Sequence, residues 1–455
     1  MALNKVSVGS AIDELEGIDL GDARLNARVR RVAVALEKNP AAGFPAAVGT
    51  VAEREAFYRL LGNERVEMKA LLAPHGAQTV IRAKTLGERP VVVIDKTSFV
   101  FPGETEREGL DRLGKNRHGM DAFCALAVSL ARQPLGVLAL EPLDKAQGRA
   151  GAEEWEATVD AAASLIEELR PIYVMDREAD AYALFAALIA KRRDFVVRVA
   201  SDRWVNEHDG AAPEMLGAIA ARAPLALRRQ VKLSRRTGVG KAPEARRRHP
   251  PRDGRDARLL IRACSIALPR PRKLDHSLPA SLSINLVQIL EENPPGSTEP
   301  VEWLLFTTLP VGTAEEVAAV VDGYRARWTI EEYFKALKSG CAYEKRQLES
   351  RHTLLNALGI LAPLAWRLLA LRSVADDPTT LAAAILDADE IHVLRKLSRD
   401  IKLDDRPTAA QAFYAIARLG GHFPQNGRPG WKVLWTGFQK LLDRVEGYRL
   451  AREEM

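Results

Sequence analysis

Tyr324, Arg327, Glu331 and Lys338 fall within about 60° of one another when the stretch YRARWTIEEYFKALKSG is wound at about 100° per residue. Lys335 stands beside them, and Ile330, Phe334 and Leu337 gather on the opposite side. A carboxylate bracketed by a guanidinium, two ammonium groups and a phenol is suited to phosphate. Arg and Lys complement phosphate oxygens while a carboxylate holds a metal ion. Glu332 lies about 100° from that stripe, which makes Glu331 the preferred acid.

Two further acids stand where chemistry concentrates. Asp95 follows four consecutive branched residues in RPVVVIDKTSFVF, a buried central strand in which a charge needs a reason. Asp176 ends the strand PIYVM, and ligands gather at the carboxyl ends of strands in α/β sheets. Three oxygen donors suit Mg²⁺, with Mn²⁺ able to substitute. Two such ions about 4 Å apart would serve an in-line phosphoryl transfer. Each acid also has a local explanation: Asp176 as a helix N-cap, Asp95 as a buried acid satisfied by Thr97 or Ser98, and Glu331 as a partner of Lys335. None of these explains why the aromatic and cationic side chains align with Glu331.

The elements that must position these residues follow from pattern. Residues 1 to about 70 read as helical, with DLGDARLNARVRRVAVALEKNP capped by Asp19 or Asp22, and Arg24, Arg28 and Arg31 on one face. VAEREAFYRLLGN follows as a second helix. The Asp95 strand, MDAFCALAVSLA and PLGVLALEPL make three strands, followed by a helix, the Asp176 strand, a helix and the strand FVVR. After Ser201 about 110 residues are rich in β and basic signals and end in VEWLLFTT. TAEEVAAVVDGYRARWTIEEYFKALKSG then reads as one long helix, and the rest as helical without an internal repeat. The expected fold class is α/β, a ribonuclease H-like core with an inserted β subdomain and helical N- and C-terminal domains. The boundaries are 1–70, 71–370 with the insertion at about 200–312, and 371–455.

With 455 residues, 47% of them hydrophobic, the chain can bury a sizeable core. Its three cysteines, Cys124, Cys264 and Cys341, form no CxxC pair, so neither a disulfide framework nor a zinc site is expected. The opening MALNKVSVGSAIDELEG has acids where an export signal needs an apolar core. LLNALGILAPLAWRLLAL, interrupted by Asn356, Pro363 and Arg367, reads as a packed helix rather than a membrane span. The net charge of +6 is concentrated: Arg228 to Arg262 holds 13 Lys or Arg against three acids. That run is either a solvated loop or a tongue that tracks a phosphate backbone. The C-terminal Trp431, Leu434, Phe438, Leu441, Val445 and Tyr448 recur at three- and four-residue steps, so they pack in their own chain or pair two copies.

Taken together, these residues resemble the insertion-sequence-four family of DDE transposases. The spacing of Tyr324, Arg327, Glu331 and Lys338 reproduces its Tyr-Arg-Glu-Lys signature. IDKTS and DREAD resemble its two aspartate segments, and FVVR, EWLLFTT, AIARLGG and LGDARLNAR resemble further parts in the family's order. The resemblance implies that Asp95, Asp176 and Glu331 bind Mg²⁺ and cut both DNA strands at the transposon ends through a hairpin. The freed 3′ ends are then joined to target DNA. It also implies DNA contacts by Tyr324, Arg327, Lys335, Lys338, Arg198, Arg24 and Arg28, with Trp303 stacking a flipped base. The partners implied are double-stranded DNA and a second copy of the chain, with no membrane, in a bacterial cytoplasm at the nucleoid. A metal-dependent nuclease that cuts without joining, and a non-catalytic inhibitor, are the alternatives; the inhibitor has no use for three acids.

Overall fold

The computed structural model describes residues 11–453 apart from 39, 42, 48–49, 104–106, 115–116, 144–150, 234–250, 252, 297–299, 375–378, 385, 399–402, 424 and 426. Capping chemistry sets the first helices. The Asp22 carboxylate accepts the Arg24 backbone N–H at 2.7 Å where α1 (Ala23–Lys38) starts. After the single turn α2 (Phe44–Ala47), Thr50 and Glu53 form a reciprocal capping box that opens α3 (Val51–Leu61). The long α4 (Met68–Leu86) stops at Gly87, whose φ of 68° is left-handed.

Four strands follow: β1 (Val91–Pro102), β2 (Asp111–Gly114), β3 (Arg117–Val128) and β4 (Pro134–Pro142). β3 pairs antiparallel with the other three, and Asp95 stands opposite Cys124. The first four residues of β1 are fully buried and Asp95 is half-buried, so the acid falls where continuous burial gives way to alternation, with Phe99 and Phe101 still in the core. Next come α5 (Ala152–Ile166), β5 (Ile172–Met175), α6 (Tyr182–Ala190) and β6 (Asp194–Arg198), with β5 and β6 parallel.

The insertion comprises β7 (Trp204–Asn206), β8 (Pro213–Met215), α7 (Leu216–Arg222), β9 (Leu225–Leu233), β10 (Arg255–Pro269), β11 (Ser281–Glu292) and β12 (Glu302–Thr307). Its strands pair antiparallel, and β12 returns to pair antiparallel with β6. The remaining elements are α8 (Ala314–Ala326), α9 (Trp328–Lys335), a π-helical turn Ala336–Gly340, α10 (Arg351–Val374), α11 (Ala388–Leu397), α12 (Ala409–Leu419) and α13 (Trp431–Glu453). Capping boxes open α8, α11 and α12. This is the expected ribonuclease H-like class: a mixed sheet flanked by helices, with a β insertion and helical ends.

One expectation needs correction. The stretch from Thr313 to Gly340 is not a single α-helix. The pattern lapses at Arg327, whose φ of −51° and ψ of −36° stay helical, and the last turn widens to π, with the Cys341 N–H donating to Ala336 O at 2.7 Å. The wide turn keeps Leu337 and Gly340 buried, Gly340 close to Leu368, while Lys338 on the same turn reaches β1.

The chain divides into two compact units, one of Met1–Gly148, Thr158–Leu169 and Trp328–Met455, the other of Arg149–Ala157 and Arg170–Arg327. In the first, α10 is long and apolar enough to cross a membrane, and most of it is buried inside the unit. Asn356 on α10 donates to the Leu61 and Val66 carbonyls at 2.9 Å each, and Trp366 lies under the Arg82 guanidinium at 3.9 Å. In the second, Phe185 stacks on Phe195 at 5.1 Å and meets Phe306 edge-on at 5.9 Å.

The C-terminal stripe packs inside its own chain. Leu441 and Val445 are buried with Leu394, Ala412 and Ile416, and Leu434, Phe438 and Tyr448 lie against the same cluster. Of the two alternatives for this stripe, Leu441 and Val445 follow the first, buried against α11 and α12, while Leu434, Phe438 and Tyr448 are half-buried.

Candidate active site

Within the second unit, five of the expected residues meet. Asp176 follows β5 and accepts the Glu178 N–H at 2.8 Å, capping the turn Arg177–Ala179, so its local explanation holds. Tyr324, buried near the end of α8, lies among Arg198, Arg327 and Asp176. Burial raises its phenol pKa, the two guanidiniums oppose this less strongly, and Asp176 adds to the rise. The phenol is therefore a protonated donor. Trp303 is half-buried beside it, ring centroids 5.5 Å apart and planes at 66°. β-pairing brings these groups together: Leu305, two residues beyond Trp303, faces Arg198 across β12 and β6.

Within the first unit, α9 packs against β1, the strand that carries Asp95. Asp95 accepts its neighbour Lys96 N–H at 2.8 Å, while the Ser98 hydroxyl donates to Asp121 at 2.6 Å. The neighbouring Cys124 thiol is pushed up first by burial and then by the Asp95 charge. Glu331 is half-buried in the first turn of α9. Lys338 donates to the Ser98 carbonyl at 2.7 Å, lies 3.8 Å from Glu344 and sits over the Phe99 ring at 5.5 Å. Burial lowers its pKa, while Glu344 and Asp121 pull it back up. Lys338 is thus held against the strand three residues beyond Asp95.

Lys335 is exposed and pairs with Glu332 at 2.7 Å. Glu332 also accepts the Trp431 indole N–H at 3.1 Å and lies 3.8 Å from Arg372. Glu332 is thus tied to Lys335 on its own helix and to residues of α10 and α13. Glu344 went unnoticed in the sequence: it accepts the Val100 N–H at 3.0 Å as well as facing Lys338, and no local pattern links it to residues about 240 positions away.

Arg24 is exposed and Arg28 half-buried on α1. Of the basic run, residues 234–250 and 252 lie outside the described residues. Its described cations are largely engaged. Arg229 grips Asp322 through two bonds of 2.6 and 2.8 Å, Arg255 holds Glu291 through two of 2.8 Å, and Arg262 donates to the Ala223 carbonyl at 2.9 Å.

Among the described residues no three His, Cys, Asp or Glu side chains stand close enough to share one ion. Asp95, Asp176 and Glu331 offer carboxylate oxygens alone, a donor chemistry that fits a hard divalent cation and not a thiophilic one.

A family model described as transposase DNA-binding matches residues 9–66, and one described as transposase DDE domain matches residues 86–366, more than half of the chain. The chain belongs to the DDE transposases. This DDE transposase therefore joins a DNA-binding segment that carries Arg24 and Arg28 to a domain that carries Asp95, Asp176 and Glu331. DDE transposase domains generally use divalent metal ions. Among solved structures, a cryo-EM structure of piggyBac transposase in a synaptic complex with hairpin DNA covers 94% of this chain and 72% of that one, at 9% identity and a TM-score of 0.37. That likeness is too loose to bear on function.

Proposed function

We propose that this transposase moves DNA by cut and paste, within the insertion-sequence-four branch and in the manner that its resemblance to transposon-five transposase implies. The observation that supports this reading is the grouping of a protonated phenol, Tyr324, with Arg198, Arg327 and Trp303 beside Asp176. Guanidiniums and a phenol donate to phosphate oxygens, and an aromatic face receives an unstacked base. Arg198, Arg327 and Tyr324 hold the strand at the scissile phosphate, Lys335 and Lys338 extend the grip, and Arg24 and Arg28 bind the backbone of the transposon end. Asp95, Asp176 and Glu331 would hold Mg²⁺, or Mn²⁺ in its place. When bound, the metal supplies charge stabilisation at the reacting phosphate. The first nick frees a 3′ hydroxyl that attacks the opposite strand to close a hairpin, and Trp303 accepts the base displaced by the bend. Water then cleaves the hairpin phosphodiester and regenerates the 3′ hydroxyl, which attacks target DNA. Two copies act together on paired ends, at the bacterial nucleoid.

The test uses DNA ends from the sequence that flanks the gene. Asp95→Ala, Asp176→Ala and Glu331→Ala are each expected to abolish cleavage while end binding stays within a few-fold, because phosphate contacts dominate affinity. Full cleavage by any one of them removes that residue from the triad. Cut ends that never become joined to a second DNA would mark a nuclease instead.

A further inference from the structure

Glu332, next to Glu331, is the point where three helices meet. Its Oε1 receives the Lys335 ammonium of α9 at 2.7 Å, and its Oε2 receives the Trp431 indole N–H at the start of α13 at 3.1 Å. Arg372 of α10 approaches Oε2 at 3.8 Å and lies over the Trp431 ring, 4.6 Å from its centroid. Trp431 is 9% exposed, and its ring reaches the end of the π turn, where a β-carbon on Gly340 would stand 4.0 Å from it. Burial pushes the Glu332 carboxyl up, but Lys335, Arg372 and the indole N–H outweigh it, so the group is a carboxylate near neutral pH.

Side chains on one helix turn as a unit. Adjacent residues are separated by about 100°, so a bond that fixes Glu332 also fixes the direction of Glu331. Lys335 cannot do this, because it rides on the same helix. Trp431 can, because it belongs to another element and is itself clamped under Arg372. We infer that Trp431 is a positioning residue for strand cleavage: its indole N–H holds Glu332, sets the rotation of α9, and so aims the Glu331 carboxylate from the C-terminal helices. This inference rests on the reading of Glu331 as a member of the catalytic triad.

The experiment compares single-turnover cleavage in preassembled complexes of the full chain with end DNA. Trp431→Phe keeps a ring for Arg372 and removes the donor. Cleavage should slow about tenfold, the worth of one hydrogen bond to a charged acceptor, with end affinity within twofold of wild type. Glu332→Ala should slow it equally, and the double variant no further, since both changes break the same bond. Glu332→Gln keeps an acceptor oxygen and should recover much of the rate. Cleavage by Trp431→Phe at the wild-type rate, a loss that only follows weakened end binding, or additive losses in the double variant would overturn the inference. Glu331→Ala is run beside them: cleavage by that variant overturns the catalytic reading itself, whereas an inactive Glu331→Ala beside a normal Trp431→Phe overturns this inference alone.

Discussion

The ring of Trp303 meets the ring of Tyr324 edge-on, centroids 5.5 Å apart, in the same unit that gathers Asp176, Arg198 and Arg327. An edge-on contact sets the rim of one ring against one face of the other, so Trp303 keeps at least one face clear of Tyr324. Trp303, the second residue of β12, stands opposite Ile289 and is half-buried, unlike Leu305 and Phe306 farther along the strand, which are fully buried. Its position is that of a side chain supported from one side.

Closing a hairpin bends the terminal strand and unstacks a base at a cost of about a few kcal/mol, of which an aromatic face returns about 1–3 kcal/mol. Trp303→Ala should therefore spare the first nick and slow conversion of nicks to hairpins by roughly one to two powers of ten, with partial recovery in Trp303→Phe. Gel analysis of nicked and hairpin products over time separates the steps. An alanine variant that nicks poorly yet converts nicks at the normal rate would make Trp303 a structural residue.

Where α12 crosses α13, Gly420 and Gly437 let the two backbones touch: a β-carbon on Gly437 would collide with the Ile416 carbonyl, and one on Gly420 with the Val433 carbonyl. Backbone cannot rotate away as a side chain does. Gly437→Ala is expected to lower stability by about 1–3 kcal/mol through forced separation of the helices. Denaturant unfolding measures the loss, and the destabilised part should be the C-terminal helices, detected by hydrogen exchange over residues 409–453.

The order of elements was legible because burial imposes its period on sequence: VVVI before Asp95 and IYVM before Asp176 announced their strands, and Asp22 marked the start of α1. Tyr324 and Arg327 were legible as neighbours because a helix turns spacing into direction. The π turn was not, because it depends on how Leu337 and Gly340 fit against α10 rather than on any residue in Ala336–Gly340. Glu344 and the bond from Trp431 to Glu332 were hidden for the same reason, since partners about 100 to 240 positions apart carry no local signal. Pairing within the Arg-rich run was not legible, because charge count says nothing of partners, and Asp322 and Glu291, which neutralise Arg229 and Arg255, lie far along the chain.

A buried polar group predicts acid sensitivity. His75 is fully buried, its Nδ1 2.5 Å from Glu14 Oε2, and its Nε2 accepts the Val137 N–H at 3.0 Å, which requires a neutral ring. Arg82 binds the same carboxylate at 2.7 and 3.1 Å. Burial drives the His75 pKa below its ordinary 6.5, and the partial pull of Glu14 in the other direction does not restore it. The unfolded chain thus binds a proton that the folded chain refuses once pH falls below about 6.5, and stability drops by up to about 1.4 kcal/mol per pH unit. Glu14 acts with the same sign at lower pH. Burial raises its pKa, but His75 and Arg82 outweigh burial and hold it below 4.5, so its contribution is full above that value and fades beneath it. Unfolding titrations from pH 7.5 to 5.5 should show this decline in wild type and a shallower one in His75→Gln, whose side chain does not titrate.

The last prediction concerns what α13 does. Leu441 and Val445 are 0% and 1% exposed and pack on Leu394, Ala412 and Ile416, so truncating them removes contacts inside one chain. Leu441→Ala should cost about 2–5 kcal/mol of stability by leaving a cavity, and Val445→Ala somewhat less because fewer atoms are removed. If α13 instead paired two copies through this stripe, the same substitutions would leave the isolated chain nearly as stable and weaken association in proportion. Melting of the DNA-free protein, together with sedimentation of its complex with two transposon ends, separates the two. The packing predicts a lowered melting temperature and, below it, an unchanged stoichiometry on DNA. A normal melting temperature with loss of the paired-end complex would return the stripe to the role of a dimer face.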